Sequence, residues 1–329
     1  MHSREPADTF APIPVVIDTD PGIDDMLALL LALNSPEIMV RGISVSYGNT
    51  TVENAFRNAV EILRRAGKRV SLGIGARRPL ERAVVPASET HGASGMGYAP
   101  VPAAGVILDF MRPLERILAE QPEPVTLVTL GPLTGLALAL RSDPELIRAK
   151  VRRHVAMAGN FAAKGNTTPY SEFNAWCDPE ALSLVLQAEL PTDLVPLDVT
   201  REFALSASDV SRLGGAEGDN ARWIVEALRF YVEFHREYER LDGCVVNDVL
   251  AVAALLDPEA LSFQSTRVAV DLEDGESRGR TRMASEGSLA RVARQLDRDR
   301  ARALLSDRVF SWAASSLPRP VLVPEMARV

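Results

Sequence analysis

Four aspartates, Asp18, Asp20, Asp24 and Asp25, fall within eight residues of the segment Val15-Val-Ile-Asp-Thr-Asp-Pro-Gly-Ile-Asp-Asp-Met-Leu-Ala-Leu-Leu30. No Lys or Arg occurs between Arg4 and Arg41, so nothing local in the sequence neutralises them. Hydrophobic runs on both sides place this acidic knot where a buried strand ends and a helix begins. Carboxylates crowded beside a core repel one another and lose hydration, which pushes protons onto them. A divalent cation removes that conflict, and an oxygen-only donor set favours Ca²⁺ or Mg²⁺ over zinc.

The elements that must hold the knot alternate along the chain. Strand-like runs at 15–18, 40–46, 70–74, 125–130, 151–157 and 194–197 are interleaved with helix-like runs at 24–33, 51–65, 108–120, from 133, and 178–187. A Gly/Pro-rich stretch spans 77–104. A long helix is expected at 219–241, a shorter one at 248–256, a hairpin from 267–271 and 280–283, and a closing helical region at 291–316. This pattern predicts a single α/β domain, 14–329, preceded by a flexible segment, 1–13. Its sheet should be twisted, mainly parallel and Rossmann-like, with flanking helices and a late hairpin. Ligands of such sheets bind beyond the carboxyl ends of the strands. That rule puts the Asp knot, Tyr47-Gly48-Asn49, Leu130-Gly131-Pro132 and the segment after Met157 on one rim, with Asn247-Asp248 adding a further carboxylate. Three Asp-Pro-Glu triplets, at Asp143, Asp178 and Asp257, read as helix starts rather than a repeated site, with Asp as N-cap and Pro in the first turn.

Composition narrows the function classes. The chain has 329 residues, is 47% hydrophobic and 24% charged, and carries a net charge of −8. An acidic balance argues against nucleic-acid and anionic-membrane surfaces. No apolar run in the first third is long enough to span a bilayer. Cys177 and Cys244 are far apart in no metal-ligand spacing, and read as small core residues of a protein in a reducing, cytoplasmic compartment.

The Asp18-Thr-Asp20-Pro-Gly-Ile-Asp24-Asp25 segment resembles the signature of the inosine–uridine-preferring nucleoside hydrolases. Gly48-Asn49, His91-Gly92, Gly131-Pro-Leu-Thr134, Met157-Ala-Gly159, Asn166, Glu172-Phe-Asn174 and Asp178-Pro-Glu180 follow in that family's order and approximate spacing. The resemblance implies the nucleoside hydrolase fold and hydrolysis of the N-glycosidic bond of ribonucleosides to ribose and base. It implies a Ca²⁺ held by Asp20, Asp25, Asp248 and the Leu130 carbonyl, with the ribose 2′- and 3′-hydroxyls completing its shell. Asp24, Asn49 and Asn174 would bind those hydroxyls, Asn166 and Glu172 the 5′-hydroxyl, and Met157 would pack against the sugar. Asp20 would be the general base for a water on the metal, attacking through an oxocarbenium-like transition state. A homodimer or homotetramer is also implied. Asp18 reads as structural, lying beneath the site.

Two positions depart from the family pattern. Asn247 stands where one branch has a His pointing at the leaving base and another has Trp; an amide is no general acid near neutral pH. Gly135 replaces a common Asn. Of the four histidines, His154 reads as core and His2 as part of the loose terminus. His91, in the Gly-rich loop, and His235, sharing a helix with Tyr231 and Tyr238, are candidates for the base pocket alongside Asn247. Two other readings compete. One is an aspartyl-phosphate phosphatase using Asp18, Asp20 and Mg²⁺, though Gly22 and the Asp24-Asp25 pair fit it badly. The other is a non-catalytic nucleoside- or sugar-binding protein on the same scaffold.

Overall fold

The run Ile13–Thr19 is buried along nearly its whole length rather than on alternate residues, as expected of a strand covered on both faces. In the computed structural model, which describes residues 11–102, 112–215 and 217–313, it forms the centre of a nine-stranded sheet. The strands are β1 (Ile13–Thr19), β2 (Ile38–Val45), β3 (Ser71–Ile74), β4 (Val125–Thr129), β5 (Val151–Met157), β6 (Thr192–Val195), β7 (Ala204–Ser206), β8 (Gly243–Val245), β9 (Leu261–Val270), β10 (Thr281–Met283) and β11 (Ser288–Leu296). Their order in the large sheet is β10-β9-β11-β6-β5-β4-β1-β2-β3, while β7 and β8 form a separate antiparallel pair. Every pairing from β11 through β6, β5, β4, β1 and β2 to β3 is parallel. The α/β architecture and the mainly parallel sheet are as the sequence predicts. The order reverses between β1 and β4, so a crevice opens where these strands end, at Asp20 and Leu130.

The helix Ile23–Asn34 buries eleven of its twelve residues and packs against the helix Val249–Leu256. That contact brings the Asp24-Asp25 pair and Asp248, at the starts of two core helices, to the same end of the sheet. Cys177 and Cys244 are free and buried, in keeping with a packing role. Among the described residues no helix is long and apolar enough to cross a membrane.

Several expectations need correction. The late hairpin is present as β9–β10, but residues 291–296, expected to be helical, belong to β11, which bridges β9 and β6. Cross-strand pairing on both sides satisfies their backbone and overrides a helix-favouring composition; Arg298–Arg308 forms an α-helix and Ser311–Ala313 a short 3₁₀ turn. The helix from Asp219 ends at Phe234 and passes into a π-turn, His235–Glu239. Asp143 and Asp178 cap helices through Leu146 and Ala181 N–H groups. Asp257 instead follows a helix end and accepts the Glu259 N–H within a turn. Residues 1–10, the expected helix start at 108–111 and residues 314–316 lie outside the described residues.

Candidate active site

Asp20 leaves β1 completely buried, and two glycines make room for it. A Cβ on Gly48 would stand 1.9 Å from Asp20 Oδ2, and one on Gly131 would stand 2.5 Å from Oδ1. The Asn49 backbone N–H donates to Oδ2 at 2.7 Å, while Oδ1 has no hydrogen-bond partner. Asp25 is held more fully. Its carboxylate accepts from Thr19 Oγ1, from the Gly22 N–H at 2.9 Å and from Asn49 Nδ2 at 2.7 Å. Asn49 thus clamps two of the four aspartates, one with its backbone and one with its side chain.

Asp24, Asp25 and Asp248 place carboxylate oxygens within 4.8 Å of one another, all buried. Asp24 Oδ1 is buried without a partner. Burial raises the pKa of Asp20, Asp24, Asp25 and Asp248 above the ordinary carboxylate range, and the neighbouring carboxylates push Asp20, Asp25 and Asp248 further in the same direction. Unpartnered, desolvated, mutually repelling oxygens on a rigid frame are what a hard divalent cation satisfies, and no nitrogen or sulfur donor stands among them. The residues present therefore fit a metal of the Ca²⁺ or Mg²⁺ type. Asp20 lies outside the trio, although its charge acts on Asp248.

Beneath the knot, Asp18 is buried with neither oxygen hydrogen-bonded in good geometry, and burial pushes its pKa up to about 7. Gly135 explains itself here, because a Cβ would come within 2.8 Å of Asp18 Oδ2. Asp18 does not line the cleft above it. His154 is likewise a core residue, bonded to Thr129 and Thr192 hydroxyls.

Above the knot lies a cleft of about 690 Å³ including its open mouth, lined by Asp24, Asn49, His91, Leu130, Met157, Asn166, Glu172, Asn174, Tyr231, His235, Asn247 and Asp248. Twelve of the expected residues thus converge. Glu172, almost wholly buried, caps the turn Phe173–Cys177: its carboxylate accepts the N–H groups of Asn174, Ala175 and Gly159. Burial outweighs those donors and moves it up to about 7. Asn174 Nδ2 donates to the Leu130 carbonyl at 2.6 Å and to the Met157 carbonyl at 3.0 Å, tying the ends of β4 and β5 together. Asn166 Oδ1 accepts the Phe173 N–H.

The base-pocket candidates divide. His91 is no part of a loose loop: it is 4% exposed, ends the short helix Ser88–His91, and its Nδ1 accepts the Ile23 N–H at 3.1 Å. Burial lowers its pKa to about 4. His235 points Nδ1 at the Tyr231 carbonyl, 2.8 Å away, and its ring stands edge-on to Tyr231; burial lowers its pKa too. Both imidazoles are neutral near pH 7 by this reasoning. Tyr238 is a correction: it is 59% exposed, stacks on Phe234 outside the cleft, and does not line it. Asn247 accepts from Thr200 Oγ1 at 2.7 Å and turns its Nδ2 toward Asp24 Oδ2 at 3.4 Å.

The sequence reading missed Phe173, Leu197, Arg201, Phe234 and Glu239, which also line the cleft. Leu197 and Arg201 follow β6, so the strand-end rule that located the other loops applies to them as well. Asp198 fastens this corner by accepting the N–H groups of Phe161, Ala162 and Ala163 in the loop after β5. Phe234 precedes the π-turn and Glu239 ends it, and no motif announces that turn.

Residues 15–303 match the family described as inosine-uridine preferring nucleoside hydrolase. The chain is 36% identical over 278 residues to the pyrimidine-specific ribonucleoside hydrolase RihA of Salmonella typhimurium, covering 82% of this chain and 88% of that one. Among solved structures, a plant nucleoside hydrolase, PpNRh1, superposes with a TM-score of 0.83 at 31% identity, covering 90% and 98% of the two chains. A purine-preferring ribonucleoside hydrolase from Gardnerella vaginalis gives 0.81 at 26% identity, covering 91% and 99%. The fold, the acidic cleft and these similarities agree: the chain belongs to the inosine–uridine preferring nucleoside hydrolase family.

Proposed function

We propose that this protein hydrolyses the N-glycosidic bond of ribonucleosides, releasing ribose and the free base, with Ca²⁺ bound at the aspartate knot. The observation that carries this reading is the buried Asp24/Asp25/Asp248 trio, of which Asp24 and Asp248 line a cleft that also presents Asn49, Asn166, Glu172 and Asn174. Asp20, Asp25, Asp248 and the Leu130 carbonyl would hold the cation, an all-oxygen set of the kind Ca²⁺ takes. When bound, it supplies positive charge that neutralises the knot and orients the sugar diol and the attacking water.

The remaining steps belong to the side chains. Cleaving the ribosyl C–N bond builds positive charge on the sugar ring, and the surrounding carboxylates stabilise it. Asp20 Oδ2 is held by the Asn49 N–H while Oδ1 is unengaged, so Oδ1 is the atom that takes the proton of the attacking water. Asp24 and Asn49, with Asn174 through its amide oxygen, bind the 2′- and 3′-hydroxyls. Asn166 and a remaining lone pair of Glu172 take the 5′-hydroxyl, and Met157 packs against the ribose.

The test is a panel of purine and pyrimidine ribonucleosides with their 2′-deoxy counterparts, scored for reducing sugar and free base in Ca²⁺ and after chelation. Equimolar ribose and base, lost on chelation and strongly reduced for the 2′-deoxy compounds, is the expected result. Binding without base release would favour a non-catalytic receptor, and phosphate release from phosphosugars a phosphatase. RihA is named for pyrimidines and the Gardnerella enzyme for purines, so the panel also decides the base.

A further inference from the structure

Among the described residues that line the cleft, neither Asn247 nor either histidine is placed as an acid for the departing base. Asn247 cannot serve: its carbonyl oxygen is engaged by Thr200 and its amide nitrogen faces Asp24. His91 uses Nδ1 as an acceptor, so its Nε2–H belongs to a neutral ring, a hydrogen-bond donor rather than an acid. His235 directs Nδ1 at a carbonyl oxygen and so donates there.

One permanent cation nevertheless stands in the wall. Arg201 is the sole Lys or Arg among the described residues that line the cleft. It follows directly on Thr200, the residue that fixes Asn247, and its charge acts on His235. Its guanidinium is underused. Nε is buried with no partner, one terminal nitrogen reaches the Gly165 carbonyl only at 3.4 Å, and the other lies 3.8 Å from Glu239. That last distance is an ion contact too long for a hydrogen bond. Glu239 therefore accompanies the guanidinium in the cleft wall without occupying its donors.

We propose that Arg201 binds the leaving base and stabilises the negative charge it acquires as the C–N bond breaks, in place of a general acid. The inference rests on the hydrolase reading above. In the step, the C–N bonding pair departs with the base, whose nitrogen or carbonyl oxygen receives hydrogen bonds from Arg201. The water oxygen bonds C1′, its proton passes to Asp20, and the released base anion is protonated by solvent. A fixed cation suits this task because it carries full charge throughout and loses no proton.

The experiment compares two leaving groups. 4-Nitrophenyl β-D-ribofuranoside releases a stable phenolate that needs no assistance, whereas the base of an unactivated nucleoside does. Arg201→Met is expected to lower kcat/KM about 10²-fold for the nucleoside that the wild type cleaves best, the usual effect of deleting one charge-directed donor. The same variant should leave nitrophenyl riboside turnover nearly unchanged. Arg201→Lys, which keeps the charge and much of the volume, should recover part of the nucleoside rate. Equal losses on both substrates in both variants would assign Arg201 a structural role and overturn the proposal, as would an undiminished nucleoside rate in Arg201→Met. A wild type inactive on nucleosides and riboside alike would instead refute the hydrolase reading on which it rests.

Discussion

Asp248→Asn separates the two conditions of the aspartate knot, with and without a cation. In the cation-free protein Asp248 has a carboxylate oxygen within 4.8 Å of Asp24 and Asp25 oxygens, and all three groups are buried. Two unit charges at that distance repel by about 3.5 kcal/mol at an effective dielectric near 20. Proton uptake relieves part of this, as the upward pKa shifts of all three residues indicate. The asparagine keeps the shape, can donate to Asp25, and removes one charge. The chelated variant is therefore expected to be more stable than the chelated wild type, by about 1–3 kcal/mol once proton uptake is allowed for. Added Ca²⁺ reverses the order. At 100 times its Kd the ion stabilises the wild type by about 2.7 kcal/mol, and a variant lacking one ligand gains far less. Urea unfolding near neutral pH, with chelator and with Ca²⁺, reads both effects. A chelated variant weaker than the wild type, together with equal gains from Ca²⁺, would refute the idea that these carboxylates are held in conflict for a cation.

Other perturbations test the frame around the knot. Gly131→Ala puts a methyl group 2.5 Å from Asp20 Oδ1 and must displace it. A shift of about 1 Å at the reacting group is expected to lower kcat about 10²-fold, with little change in Tm. Glu172→Gln replaces one acceptor oxygen that serves backbone N–H groups with an NH₂, and should cost about 1–3 kcal/mol in urea unfolding. Asp18 makes chelated protein less stable as pH rises. Its native pKa is about 7, against 3.8 for an aspartate in water, so between those limits the native state binds more protons than the unfolded one. Stability should fall by about 4 kcal/mol across that window and then level off. Asp18→Asn should flatten that part of the profile.

Much of the site was legible because it sits at strand ends. Alternating apolar runs placed β1, β2, β4 and β5, and Asn49, Leu130 and Met157 at their ends do line one cleft, with Asp20 buried beside it under the Asn49 N–H. The helix starts at Asp24 and Asp248 were readable for the same reason. β11 was not, because Ala, Arg, Leu and Gln favour a helix locally and only pairing with β9 and β6 makes Ser288–Leu296 a strand. Arg201 and Glu239 escaped notice because one lies past the end of a short strand and the other within a π-turn. Tyr238 misled because helical spacing stops being a guide where the α-helix ends at Phe234. Local pattern positions the residues at the strand ends, whereas only the tertiary fold brings Phe234 and Glu239 of the turn and Leu197 and Arg201 past β6 to the same cleft.

The most direct measurement is base and ribose release by the wild type and by Asp20→Asn, side by side in Ca²⁺, on the ribonucleoside that the wild type cleaves fastest. With Asp20 as the base, the variant should lose about 10²–10⁴-fold in kcat while keeping its fold. Base release by Asp20→Asn at the wild-type rate would contradict the account.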